Sequence, residues 1–263
     1  RMVLDIPVVS SILFYPLQRD AEKVYSLVSG VIGTSDEYRD RPFENQKRDV
    51  PKATVYVGNE LSVFDSGAEK TSGDIVKPEE EFWVTYAGTI GTSYDIRTML
   101  LAAEELAKRG KENIKIKILG GGPLKDELEA LARDKKINNA EFAGYAPYDK
   151  MAAYLKKSDI LVNSFVRKAP QSIVTKIGDY LAAGKAMINT CMSPEFRNKV
   201  ENDGFGVNIE PEDAGILADA IEDLYRDEEK RLEMGRKARQ IAEEQFDRPK
   251  SYRKIEELIR KLI

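Results

Sequence analysis

Histidine is absent from the chain, and cysteine occurs once, as Cys191. Without an imidazole, Ser-His-Asp and Cys-His chemistry and nearly all zinc catalysis are excluded within it. A single thiol builds neither a disulfide framework nor a cysteine metal cluster. In an apolar stretch it reads as a small core residue. Any catalysis must draw on carboxylates, Lys, Arg, backbone dipoles or the substrate itself. No apolar run approaches the roughly 18 residues of a membrane span. The opening Arg-Met-Val-Leu-Asp carries no signal-peptide h-region or cleavage site, so a reducing, cytoplasmic setting is the expectation. An excess of basic charge is missing too. The formal net charge is -4, and Lys and Arg are spread over the chain, so nucleic acid is not expected as a partner.

What is present is 263 residues, enough for one large domain or two small ones with a sizeable core. From residue 82 the pattern becomes regular. Phe82 to Ala87 is a buried strand ending at Gly88, and Met99, Leu100, Ala103, Leu106 and Ala107 recur at helical spacing. Residues 114–119 form a strand running into Gly120-Gly121-Gly122-Pro123, and a second helix follows through Leu128 and Leu131. Short strands are read at 141–144, 159–163, 186–190 and 206–209. Helices are read at 151–157, 173–183, 216–224, 228–245 and 249–263. Alternating helices and continuously apolar strands predict an α/β fold, a Rossmann-like parallel sheet flanked by helices. Ligands of such sheets sit at the carboxyl ends of the strands. The loops at 88–95, 120–124, 144–148, 163–173 and 190–195 are therefore where chemistry is sought.

The first 80 residues differ. Residues 31–35 and 53–57 read as strands, with a charged stretch at 36–49 between them, and residues 7–9 read as another. The Ser, Gly, Glu, Lys and Pro content of 65–81 reads as a linker. The expected division is 1–78, a partial second domain with its linker, and 79–263. The chain reads as starting in mid-domain.

Six short elements then follow in order: Gly88-Thr89-Ile90-Gly91; Gly120-Gly121-Gly122-Pro123; Phe142-Ala143-Gly144-Tyr145; Ser158-Asp159-Ile160; Lys176-Ile177-Gly178-Asp179-Tyr180 running on to Gly184-Lys185; and Asp203-Gly204-Phe205-Gly206. In this order and spacing the chain resembles glycosyltransferase family 4, the group 1 transferases, over about residues 20–263. The resemblance implies a GT-B fold of two Rossmann-like domains, of which the C-terminal one binds a nucleotide sugar. It implies retaining transfer from a nucleoside diphosphate sugar, without a metal or other cofactor. The Lys-x-x-Glu-Tyr variant resembles the subgroup that builds bacterial capsule and O-antigen polysaccharides, which favours uridine. A glycan or lipid-linked acceptor is implied, with peripheral membrane contact through the acceptor half.

Asp179 stands at the second Glu of the family's Glu-x7-Glu motif, where a carboxylate holds the ribose hydroxyls; a short carboxylate suits a vicinal diol. Gln171 stands at the first, and an amide there cannot act as a base or hold a cation. Ser172, Ile173, Val174 and Thr175 open the helix that carries Asp179, where free N–H groups favour a diphosphate. Lys176 adds positive charge beside it. Lys176 and Gln171 are the candidate catalytic positions. Gly88, Thr89, Ile90 and Gly91 would let backbone approach the phosphates, with Gly120 and Gly122 packing beside the ligand. Tyr145 and Ala146 would hold the base, which an aromatic face suits. The family's Arg after the first glycine and Lys five residues later, which clamp the diphosphate, are replaced here by Thr89 and Tyr94. Two rival readings remain: an epimerase-like enzyme of the same fold, and a sugar-nucleotide-binding scaffold without catalysis.

Overall fold

The computed structural model describes residues 7–44, 48–169 and 173–263, and side chains from residue 12 onward. The chain forms two compact units, one reaching to Tyr56 and taking in Tyr252–Ile263, the other Val57–Ser251.

The smaller unit holds α1 (Pro7–Leu27), β1 (Val31–Gly33), α2 (Asp36–Asp40) and β2 (Lys52–Thr54), together with the terminal helix Arg253–Arg260. The strand expected at 7–9 is the first turn of α1 instead. A proline at the start of a helix costs no hydrogen bond and presets φ, and this outweighs the β-branched pair Val8-Val9. β1 and β2 pair in parallel, Val31 opposite Lys52.

The larger unit begins with α3 (Leu61–Thr71), where a linker was expected from residue 65. Its polar composition misled because only one stripe is apolar. Phe64 is fully buried and meets Tyr148 edge-on, and Thr71 Oγ1 donates to Asp149 O at 2.9 Å. The division expected at 78 therefore falls within this unit, between α3 and the first strand of the sheet.

Then come β3 (Phe82–Ala87), α4 (Ile96–Lys108), β4 (Ile114–Leu119), α5 (Lys125–Asp134), β5 (Ala140–Gly144), α6 (Tyr148–Lys157), β6 (Ile160–Asn163), α7 (Lys176–Ala183), β7 (Ala186–Asn189), α8 (Pro194–Asp203), β8 (Gly206–Asn208), α9 (Ala214–Arg226), α10 (Glu228–Ile241) and the short α11 (Arg248–Ser251). The expected α/β fold is present: six parallel strands in the order β5-β4-β3-β6-β7-β8, with helices on both faces. All six residues of β3 are buried, as a central strand covered on both faces requires. On one face, α4 and α9 bury Met99, Leu100, Leu106, Leu217 and Ile221 against Ile116, Ile118, Val162 and Ile188. Burying such side chains stabilises by about 1.5–3 kcal/mol each. From β3 the chain first moves outward through β4 to β5, then returns beside β3 with β6 and moves out the other way. The gap between β3 and β6 is thus the topological switch point, where ligands of open α/β sheets bind.

The helix expected at 173–183 begins at Lys176. The run Ile173-Val174-Thr175 is β-branched and resists helical χ1 crowding, so it stays in the approach to the helix. The helix expected at 228–245 ends its α-helical course at Ile241 and runs on as one wider turn to Phe246. α8, which periodicity did not reveal, is opened by Ser193, whose hydroxyl accepts from Phe196 N, and by Pro194.

Candidate active site

The carboxyl ends of β3, β4 and β5 are joined by backbone. Gly88 N donates to Leu119 O at 3.0 Å, Ile90 N to Gly121 O at 2.9 Å, and Gly120 N to Gly144 O at 2.8 Å. A Cβ on Gly120 would lie 1.9 Å from Gly88 O, and one on Gly122 would lie 2.4 Å from Ile90 O. Both glycines also have positive φ, 128° and 154°. The glycine run is thus a seam between two loops that only hydrogen side chains permit. Ile90 is fully buried, and its N–H and C=O are both used in the seam, so the structure makes it a packing residue rather than a ligand contact.

Above the seam lies a cleft of about 290 Å³, lined by Ala87, Gly88 and Thr89, by Leu119, Gly120 and Gly121, and by Tyr145, Ala146 and Met151. It gathers Gly88, Thr89, Gly120, Tyr145 and Ala146 from the sequence-predicted set, with Gly121 in place of Gly122. Tyr145 is 86% exposed, an aromatic face with nothing stacked on it. Gly91 is buried and does not line this cleft.

Asp179 lines a second cleft of about 440 Å³ with Thr175, Asn59, Tyr148 and Arg248. Its Oδ1 accepts from Asn59 Nδ2 and from Tyr148 Oη, both at 2.8 Å. Burial pushes the carboxyl pKa up, against these two donors and the Arg248 charge, which pull it down. Asn59 is held in turn by backbone: Asn59 N donates to Phe246 O, and Arg248 N to Asn59 O. Gly58 and Gly178 allow the crossing, since a Cβ on Gly178 would come 3.0 Å from Gly58 Cα. Sequence reasoning missed Asn59, Tyr148 and Arg248. Placing the boundary at 78 put Asn59 outside the domain, and neither of the others belongs to a motif.

Lys176 does not point into either cleft. Its Nζ is shut off from solvent and has no hydrogen-bond partner, although the residue as a whole is half-buried. Four rings surround it: Tyr86 at 4.3 Å from the ring centre, Tyr94 at 4.5 Å, Phe165 at 5.1 Å and Tyr180 at 5.7 Å. Burial lowers its pKa to about 7, slightly opposed by Cys191. The phenols are themselves tied to β3: Tyr86 Oη donates to Thr89 O at 2.7 Å, and Ala87 N donates to Tyr180 Oη at 2.8 Å. Ile173 and Val174 precede α7 rather than opening it, and Thr175 stands at its N-cap, whereas Gln171 and Ser172 lie outside the described residues.

The largest of these concavities, about 670 Å³, runs along the outer edge of β5 beside α5 and holds none of the motif residues. Among the described residues no group of three or more His, Cys, Asp or Glu could hold a metal ion. No helix among them is long and apolar enough to cross a membrane.

Residues 68–241, more than half of the chain, match the family model of glycosyl transferases group 1. The chain belongs to that family. It is 26% identical over 162 residues to the Escherichia coli K12 protein named as a colanic acid biosynthesis glycosyl transferase, WcaI, covering 60% of this chain and 39% of that one. It is 23% identical over 243 residues to an uncharacterised glycosyltransferase of Methanocaldococcus jannaschii, covering 91% of this chain and 60% of that one. The chain therefore spans less than two thirds of the length of these curated relatives. In fold it is similar to Anabaena HepE, crystallised in complex with UDP, with a TM-score of 0.77 at 17% identity over 93% of this chain and 68% of that one. Such structural neighbours are GT-B glycosyltransferases, and the likeness is one of fold: an α/β fold with a parallel sheet flanked by helices.

Proposed function

We propose that this chain forms the donor-binding part of a glycosyltransferase that moves a sugar from a nucleoside diphosphate sugar, UDP-linked, to an acceptor hydroxyl. The observation that carries this reading is a pair of clefts in the larger unit: an open aromatic and glycine-lined cleft at the carboxyl ends of β3 and β4 suits a base, and the half-buried Asp179 of the second suits a ribose diol. The diphosphate would lie between them, at the start of α7, where the helix dipole favours negative charge. The acceptor oxygen forms a bond to the sugar's anomeric carbon as the bond to the diphosphate breaks, and the leaving phosphate takes the acceptor's proton. Fixed dipoles and positive charge aimed at the leaving group would supply the catalysis. Retention of configuration, a hexosyl donor, independence of metal, and a glycan or lipid-linked acceptor in bacterial polysaccharide assembly on the cytoplasmic face of the membrane complete the proposal. The name of the Escherichia coli relative and the UDP bound to HepE support its substrate classes.

Calorimetric titration of UDP, GDP and ADP tests it. Selective binding of UDP, weakened tenfold or more by Asp179→Ala, about 1.4 kcal/mol, is the expected result. Binding of none of the three by the folded chain would remove the reading. A second reading, a sugar-nucleotide-binding protein without turnover, is favoured by one observation: the Lys176 ammonium is turned away from both clefts. Product formation from a UDP-sugar and a lipid-linked acceptor separates the two.

A further inference from the structure

Among the described residues, Lys176 Nζ is the sole buried cationic atom without a hydrogen-bond partner. An ammonium has three donors, and leaving them unmade away from water is costly. Aromatic faces offset part of that cost through the ring quadrupole, but they accept no full hydrogen bond. The cage stands at the switch point, between β3, the end of β6 and α7. Tyr86 and Tyr94 flank the Gly88–Gly91 turn, Phe165 follows β6, and Tyr180 belongs to α7. Tyr94 stands where the family resemblance places a phosphate-clamping lysine, and its ring centre lies 4.5 Å from Lys176 Nζ. Where the resemblance places a cation at position 94, the cation here comes from α7 and lies against the ring at that position.

We propose that Lys176 is the relocated cation of the donor site: the diphosphate, docking at the start of α7 beside the Gly88–Gly91 turn, becomes the missing partner of its amine, and donor binding takes up a proton there. This rests on the donor reading above. Tyr94 is the half-buried wall of the cage, so it is the wall that must turn to admit a phosphate oxygen. Burial lowers the amine's pKa to about 7, so that its charge responds to its surroundings near neutral pH, and an anion beside it favours the charged form. The groups facing it do not compete for that proton. Burial pushes the Tyr86, Tyr94 and Tyr180 phenols up, so they stay neutral, Phe165 carries no charge, and Cys191 slightly favours the ammonium. Asp179, on the same helix, is engaged by Asn59 and Tyr148.

The test is UDP titration calorimetry from pH 6.5 to 8.5 in two buffers of different ionisation enthalpy. The chain is compared with Lys176→Met, Lys176→Arg and the double variant Tyr94→Lys/Lys176→Met. Methionine fills the cage without a charge to desolvate, and a thermal melt checks that each variant is folded. The chain itself should take up a growing fraction of a proton per UDP as pH rises. Lys176→Met should bind tenfold or more weakly with no uptake, Lys176→Arg should bind without uptake, and the exchanged pair should recover at least threefold of the lost affinity. Undiminished affinity and unchanged uptake in Lys176→Met, or a double variant no better than Lys176→Met, would overturn the inference while leaving the donor reading intact. Failure of the unaltered chain to bind UDP, GDP or ADP would remove both.

Discussion

Asp179 keeps one oxygen, Oδ1, between two donors and thereby has a fixed orientation before any ligand arrives. For a half-buried carboxylate whose pKa is already raised by desolvation, those donors hold the charged form in place. Tyr148→Phe removes one of them, so the carboxyl pKa rises further. If the carboxylate receives ribose hydroxyls, UDP affinity falls as pH drops through that pKa, and the fall begins at higher pH in the variant. The expected result is a small loss at pH 8 and a several-fold greater one at pH 5.5, the loss of a hydrogen bond to a charged group being about 1.5–3 kcal/mol at most. Parallel pH profiles for the two proteins would mean that Asp179 does not meet the ligand. Tyr148 illustrates which residues a sequence conceals. Asp179 could be found from its place in a motif, whereas Tyr148 and Asn59 act from 31 and 120 positions away. The Lys176 cage was hidden for the same reason, its rings lying at 86, 94, 165 and 180.

At the scale of elements, the sheet was legible because its strands are covered on both faces and must be continuously apolar. α3 was not, because a helix packed on one side needs only a stripe, and Leu61, Phe64 and Ala68 are thin signal among Ser, Gly and Glu. The start of α7 was misplaced by three residues because its leading segment is apolar but β-branched. The glycine elements were legible as motifs, and the structure supplies their reason, the seam between the β3 and β4 loops. Gly120→Ala tests that reason. Its Cβ would meet backbone, Gly88 O, rather than a side chain that can move away. The strained φ alone is worth about 1–3 kcal/mol. The urea midpoint should therefore fall, and UDP binding should weaken beyond what the unfolded fraction explains. Gly121→Ala, which meets no protein atom within 4 Å, should leave the urea midpoint unchanged. Equal effects at the two positions would mean that the seam is not what the glycines serve.

For the whole molecule, the question is what would balance the charge of the proposed nucleoside diphosphate in a chain whose own formal charge is -4. Many diphosphate sites use a divalent cation held by carboxylates. Here Asp179 is engaged by Asn59 and Tyr148, and among the described residues no group of three or more acidic side chains could hold a metal ion. Histidine, the usual alternative ligand, is missing from the sequence altogether. Among the described residues, the start of α7, the Lys176 amine and Arg248, all within the larger unit, offer positive ends. A site balanced in this way binds UDP equally well with and without a chelator. In EDTA the dissociation constant should stay within about twofold, less than 0.5 kcal/mol, and added magnesium should not tighten it. A loss of tenfold or more in EDTA, restored by magnesium, would show that the protein's own cations are insufficient. Such a result would also count against Lys176 as the partner of the diphosphate, because a bound divalent ion would hold the amine neutral and the proton uptake would vanish.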